Sequence, residues 1–398
     1  MKVNLGVFAH NSHDWDRLQA GRYDELPAEP DWKFVQAGFE LGKLAEPLGF
    51  DGIWAPEHFG TPYGMSPNPL QMLTYFAGCT ERITFGTMVA VAPWWHPVRM
   101  AHQIAYLDII SNGRLDTIGL GRGVAKKEFD ALGIPREEAR QRLDETLDIL
   151  ELAFSQQRFS YDGEIFKIPE MELRPAPKSN DLHKRLFGSA SSAESAEMLA
   201  RRGLTPLFVG NKPLEDAGRE TLRVNTIRIE EGFAPVQPKN VMMLFCARDP
   251  DEEQRADEWL LTANRDVSLH YGFADPSNFA GVKGYEAYAN RQANATAVLD
   301  AVSEAALKDK SKQGGPKLPG YHPSNLLIGT PDEIVRRIEE AQRVCSFSEI
   351  TVLPQFGTMP YAVAAESMKL FAEEVLPHVQ KMAAPLHPTV VPSLDTAE

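Results

Sequence analysis

Two residues able to hold or move a proton stand side by side at Glu57 and His58, in the stretch WAPEHFG, where a strand-like run gives out. A carboxylate beside an imidazole can act in proton transfer near neutral pH. The alternative is a buried pair that only ties down a loop. Further on, GLGRGVAKKEF offers glycines, Gly121 among them, that let backbone come close to a ligand, and Arg122 as a phosphate ligand. Its alternative is a tight turn with a surface arginine. GSASSAES holds Ser191 and Glu194 at the spacing of a capping box, so a helix should start there. A helix N-terminus flanked by the Ser189 and Ser192 hydroxyls is an anion site, or else a plain cap. PWWHPVRMAH contains His96, Arg99 and His102. The two histidines are six apart, which does not place both on one helix face, and no HxH or HExxH is present. The spacing therefore points to no metal centre. His96 is expected in a loop near the site and His102 on a helix, facing its neighbours.

These motifs need elements to position them. Strand-like runs cover residues 3–9, 51–56, 83–91, 115–121, 185–190, 205–210, 241–247 and 349–355, and each is followed by a helix-like segment. In the segment 128–154, Ala139, Leu143, Leu147, Leu150 and Phe154 recur at helical spacing. Eight strand-then-helix units predict an α/β protein, a (β/α)8 TIM barrel with a long insertion after the seventh strand. The rival, a doubly wound open sheet, would carry a Gly-rich turn after its first strand, and VFAHNSHDW is not one. Barrel loops that follow strands gather at one face, so the loops after strands four and five converge beside Glu57 and His58. One arginine, several hydroxyls and a helix N-terminus then share a pocket. That arrangement describes a phosphorylated cofactor with its reactive end toward the Glu57–His58 pair. The polar loop 10–31 and the insertion 265–325 are candidate walls and lid, and 384–398 is expected to be a flexible tail after a single domain spanning 1–383.

Bulk properties narrow the class. The chain has 398 residues, a formal charge of −14 and 43% hydrophobic residues, the profile of a globular protein with no basic face for nucleic acid. No run of about 18 apolar residues exists to span a membrane. Cys79, Cys246 and Cys345 are scattered without a CxxC pair, which suits a reducing, cytoplasmic setting.

Taken together, LGFDGIWAPEHF, HPVRMAHQIAYLDIISNGRL, GLGRGVAKKEFDALGI, GSASSAESAEMLARRG and LPQFGTMPYAVAAESMKLFAEEVLP resemble the luciferase-like flavin monooxygenases, in that family's order. The resemblance covers about residues 1–210 and 326–380. It implies a (β/α)8 barrel that uses reduced FMN from a separate flavin reductase, reacts with O2 through a flavin peroxide and oxygenates a small organic molecule. It implies His58 as the catalytic base, with Glu57 as its acidic partner. Arg122 and Arg140 would grip the FMN phosphate, with Arg142 a further candidate, and Ser189 and Ser192 would supply hydroxyls. The flavin ring would lie over the end of the third strand at Met88, Val89 and Ala90, where the family often carries a non-prolyl cis peptide. A homodimer is also part of the family pattern. Phe59 stands where the luciferase branch has a second histidine, which argues against light emission from a long-chain aldehyde. Trp94 and Trp95 point to an apolar or cyclic substrate. Related barrels that use a deazaflavin for hydride transfer without O2 are the alternative. A non-catalytic flavin-binding barrel and a metal-dependent hydrolase follow behind.

Overall fold

The computed structural model describes residues 1–289 and 322–392. Its core is a closed barrel of eight parallel strands: β1 (Lys2–Gly6), β2 (Gly52–Ala55), β3 (Thr84–Thr87), β4 (Leu115–Gly121), β5 (Leu186–Ser189), β6 (Thr205–Phe208), β7 (Lys239–Cys246) and β8 (Glu349–Leu353). Consecutive strands pair in parallel all the way round. Closure is made by β8 on β1, with Val3 opposite Ile350 and Leu5 opposite Val352. Strands covered on both faces need apolar side chains in both directions, and Asn240–Cys246 of β7 is buried throughout. Eight helices alternate with the strands outside: α1 (Asp31–Leu44), α2 (Pro69–Ala77), α3 (Pro97–Ile110), α4 (Ala139–Ser155), α5 (Ala193–Arg201), α6 (Leu214–Glu230), α7 (Pro331–Cys345) and α8 (Tyr361–Glu374). The expected (β/α)8 barrel is the observed fold.

The barrel interior is filled rather than open. Trp54, Phe187, Leu207, Val241 and Leu353, from alternate positions on five strands, form one cluster, with Phe8, Met88 and Val89 packed on it. Trp54 fits because residue 86 is glycine: a Cβ there would lie 2.7 Å from the indole. A filled interior closes the barrel from below, so a cavity within the barrel must sit at the strand ends. Truncating Trp54 to alanine would cost about 3–5 kcal/mol. At the opposite end Glu349 accepts from Asn4 Nδ2 at 2.7 Å and pairs with Lys239.

Several boundaries differ from the sequence reading. The third strand stops at Thr87, and Ala90–Val91 resumes as a short strand against β4, after a cis Met88–Val89 bond. The segment 128–154 is not one helix. A first piece, Lys126–Leu132, ends at Gly133 with φ +64, and Pro135 follows before α4 begins. Both residues oppose continuation. The last helix breaks at Val375, two residues before Pro377. The insertion opens with a helix at Ala256–Tyr271, which begins before residue 265, and closes with a strand at Leu326–Gly329 on β7. Most of the Lys-, Gly- and Pro-rich stretch at its end falls outside the described residues. The C-terminal segment is tied down as far as Val390: that residue is buried, Asn225 Nδ2 donates to its carbonyl at 2.8 Å, and Gln342 Nε2 donates to that of Pro385 at 2.7 Å. Among the described residues no helix is long and apolar enough to cross a membrane.

Candidate active site

Above β2 the chain turns back on itself. His58 and Ser66 exchange backbone hydrogen bonds of 3.0 and 3.1 Å, which fixes where both neighbouring side chains go. Glu57 and His58 diverge. The Glu57 carboxylate accepts from Val91 N–H at 2.6 Å and from the Trp95 indole N–H at 2.8 Å. Burial pushes this carboxyl up to about 8, against the pull of those two donors, with the Glu128 charge adding to the rise. His58 faces a different acid. Its Nδ1 lies 3.2 Å from Glu128 Oε1, and its Nε2 lies 3.4 Å from the Tyr271 hydroxyl. The structure thus separates the expected Glu57–His58 pair: Glu57 anchors the strand carrying Ala90 and Val91, and Glu128 is the partner of His58.

His58 opens onto a cavity of two contiguous lobes, about 160 and about 120 Å3 in volume. Met88, Ser189, Ser191, Tyr271 and Tyr288 line both. The second lobe also takes in Val89, Gly121, Arg122 and Ser195. Ala90 is buried in its short strand and pairs with Leu120. Arg122 is 9% exposed, its guanidinium lies 4.2 Å from the Tyr285 ring, and its Nη1 has no hydrogen-bond partner among the described residues. Arg140 Nη1 is likewise buried without one, while Nη2 reaches Glu194 Oε1 at 3.2 Å and Ser195 Oγ at 3.5 Å. Burial first, and then the Arg122 charge, lower the affinity of Arg140 for its proton. Two neighbouring guanidinium groups with unused N–H bonds, beside the N-terminus of α5, fit a phosphate dianion. That is the observation by which the residues present fit a flavin mononucleotide.

The serines divide the work differently from the capping-box reading. Ser192, not Ser191, caps α5, accepting from Ser195 N–H at 3.3 Å. Ser191 Oγ meets the Tyr288 hydroxyl at 2.5 Å, and Ser195 puts its hydroxyl beside Arg140. Arg142 pairs with Glu138 at 2.8 Å, and His96 is exposed and packs on Phe166, so neither lines the cavity. His102 sits on α3 with Nδ1 2.7 Å from the Val98 carbonyl. Trp95 is held by Glu57, whereas Trp94 lines the second lobe, edge-on to Phe59. The insertion roofs the cavity through Tyr271, Phe273 and Tyr288, and loop 10–31 docks beneath its helix through the Ser12–Asp266 hydrogen bond.

Comparison with known proteins places this arrangement. The sequence model of luciferase-like monooxygenases matches residues 4–345. The chain belongs to that family. It is 27% identical over 278 residues to the oxygenase component of a flavin-dependent trigonelline monooxygenase of Acinetobacter baylyi, covering 68% of this chain and 71% of the relative. It shares its fold with the oxygenating constituent of 3,6-diketocamphane monooxygenase of Pseudomonas putida, solved in complex with FMN. There the TM-score is 0.66 and the identity 18%, over 97% of this chain and 100% of that one. An F420-dependent secondary alcohol dehydrogenase has the same fold, at a TM-score of 0.63 and 15% identity over 95% of this chain and 98% of that one.

Three site residues of this luciferase-like chain escape sequence reading. Glu128 stands inside GLGRGVAKKEF, four residues after Val124, and its place on the first turn of a short helix aims it across the mouth. His270 and Tyr271 come from the insertion, where no local pattern marks them. His58, Glu128 and His270 each bring one nitrogen or oxygen to within 4.8 Å of the others, a set drawn from three distant segments that no spacing rule would find. Glu128 Oε1 already takes the Phe59 N–H and His58 Nδ1, both at 3.2 Å, so the cluster is a hydrogen-bonded one as it stands.

Proposed function

We propose that this protein is the oxygenase component of a two-component system. It takes reduced FMN from a separate flavin reductase and uses O2 to oxygenate a small apolar or cyclic organic molecule. The observation that carries this reading is the pair Arg122 and Arg140, each with a buried Nη1 that has no hydrogen-bond partner among the described residues, at the helix end that borders the His58 cavity. Arg122, Arg140, Ser189 and Ser195 hold the phosphate, and Met88, Val89 and Gly121 form the surface on which a flat ring rests. Bound reduced flavin supplies the electrons that reduce O2, so that one oxygen atom enters the substrate and the other leaves as water. The chain does the rest. Tyr271, Phe273 and Tyr288 cover the cavity and exclude water. His58 Nε2 takes and returns a proton at the reacting end. Five aromatic residues line the larger lobe, Phe8, Tyr63, Tyr271, Phe273 and Tyr288, and among the described residues no Lys, Arg, Asp or Glu joins its walls. That lining supports an apolar, ring-bearing substrate.

A deazaflavin reading, prompted by the F420-dependent fold relative, keeps the cavity and removes the need for O2. Anaerobic titration with reduced FMN, followed by an oxygen pulse in a stopped-flow spectrometer, separates the two. Tight binding with flavin reoxidation slower than that of the free cofactor supports the oxygenase. Absent FMN binding together with anaerobic hydride transfer from a reduced deazaflavin would overturn it.

A further inference from the structure

Glu128 is 1% exposed and receives donors from two directions. Oε1 accepts the Phe59 N–H at 3.2 Å and faces His58 Nδ1 at 3.2 Å. Oε2 has no hydrogen-bond partner among the described residues and faces His270 Nε2 at 3.7 Å. The carboxylate decides the tautomer of His270, because it can only accept a hydrogen. Thr61 Oγ1 accepts the Tyr63 N–H at 3.2 Å and, with a second lone pair and a proton of its own, can serve His270 Nδ1, 3.1 Å away, as donor or as acceptor. His270 then carries its hydrogen on Nε2, pointing at Glu128. For the same reason His58 presents an N–H to Oε1, from Nδ1, alongside the Phe59 N–H.

We propose that Glu128 is a positioning residue that locks His58 and His270 as opposite tautomers, leaving His58 Nε2 as the imidazole lone pair that faces the cavity. The proposal rests on the reading of His58 as the proton-accepting group. The two rings sit edge to face, 4.5 Å between centroids, and would otherwise compete for one proton. They do not, because His270 is wholly buried: burial, and then the His58 charge, hold it well below the ordinary histidine range. The imidazolium that forms during turnover is therefore His58, with the Glu128 carboxylate on its other nitrogen. The Tyr271 hydroxyl, 3.4 Å from Nε2, is positioned to donate to that lone pair until a substrate replaces it.

The test reads the tautomers directly. Long-range proton–nitrogen correlation spectra of the 15N-histidine-labelled, ligand-free protein show which ring nitrogen carries hydrogen, with His58→Asn and His270→Asn assigning the signals. Wild type should show His58 protonated at Nδ1 and His270 at Nε2. In Glu128→Gln the amide oxygen must stay on the Phe59 N–H, so its NH2 faces His270, which should switch to Nδ1–H while His58 keeps its form. His58 protonated at Nε2 in wild type, or an unchanged His270 in Glu128→Gln, overturns the proposal. Activity supplies the second readout. Glu128→Gln should lower kcat at least about tenfold at unchanged substrate KM, since the imidazolium then faces a neutral amide. The same change added to His58→Ala should cost nothing further. Equal losses in both backgrounds would make Glu128 merely structural. If the tautomers are as stated but reduced FMN supports no oxygenation, the assigned chemistry fails and the positioning role stands.

Discussion

Replacing Arg122 by alanine tests the phosphate site most directly. Arg122 is 9% exposed and its buried Nη1 has no partner among the described residues, so a phosphate entering the lobe meets a buried, preorganised donor rather than a hydrated one. A charge-assisted contact of that kind is worth about 3 kcal/mol, which is about 150-fold in Kd. Anaerobic calorimetric titration of wild type and Arg122→Ala with reduced FMN should show that loss. Riboflavin has no phosphate, so its weaker binding should change little between the two proteins. Arg142→Ala, which removes a side chain paired with Glu138 outside the cavity, should leave both ligands unaffected. Equal weakening for FMN and riboflavin would refute the phosphate role. It would assign the effect instead to the lost Tyr285 stack at 4.2 Å.

Two further outcomes follow from groups around the cavity. The Glu57 carboxyl titrates at about 8 when folded, against 4.5 as its ordinary value. Between those values the folded state keeps a proton that the unfolded state has released, so the Glu57 contribution to stability is full below about 4.5 and declines as pH rises toward 8. Thermal unfolding against pH should show that decline in wild type and a flatter profile in Glu57→Gln. A matching slope in the variant would contradict the assignment. Gly121→Ala would place a Cβ 2.3 Å from Val89 Cγ2, in the wall built by the Met88–Val89 turn. It should cost about 1–3 kcal/mol of stability and weaken flavin binding, read by melting temperature and titration. Wild-type behaviour in both would show that this wall does not touch the cofactor.

The barrel was legible because its eight apolar runs are separated by helical periodicity, and that pattern survives small errors at the ends. The ends went astray where a single residue breaks an element: the Gly133–Pro135 interruption, and the turn at Met88–Val89 inside what reads as one continuous strand. Arg122 and Ser189 were legible because strand ends and helix starts place them by sequence position alone. The partner of His58 was not. Glu57 is adjacent in the chain, yet alternate residues at the end of a strand point to opposite sides, so the two side chains diverge. Glu128 reaches His58 across the mouth from 70 residues away. Ser192 and Ser191 exchanged places because the helix begins one residue later than the box pattern places it.

Tyr285 lies between two cations, 4.2 Å from the Arg122 guanidinium and 4.4 Å from that of Arg136, while its hydroxyl donates to the Gly123 carbonyl at 3.0 Å. The roof of the cavity thus rests on Arg122, the residue proposed to grip the cofactor. These are not separable modules. An engineer who exchanges residues 273–289 to change what the enzyme accepts would remove the stack that orients Arg122, and would retune flavin affinity with the same edit. On the proposed reading, substrate range and cofactor retention change together unless Tyr285 and its two arginines are carried over as a unit.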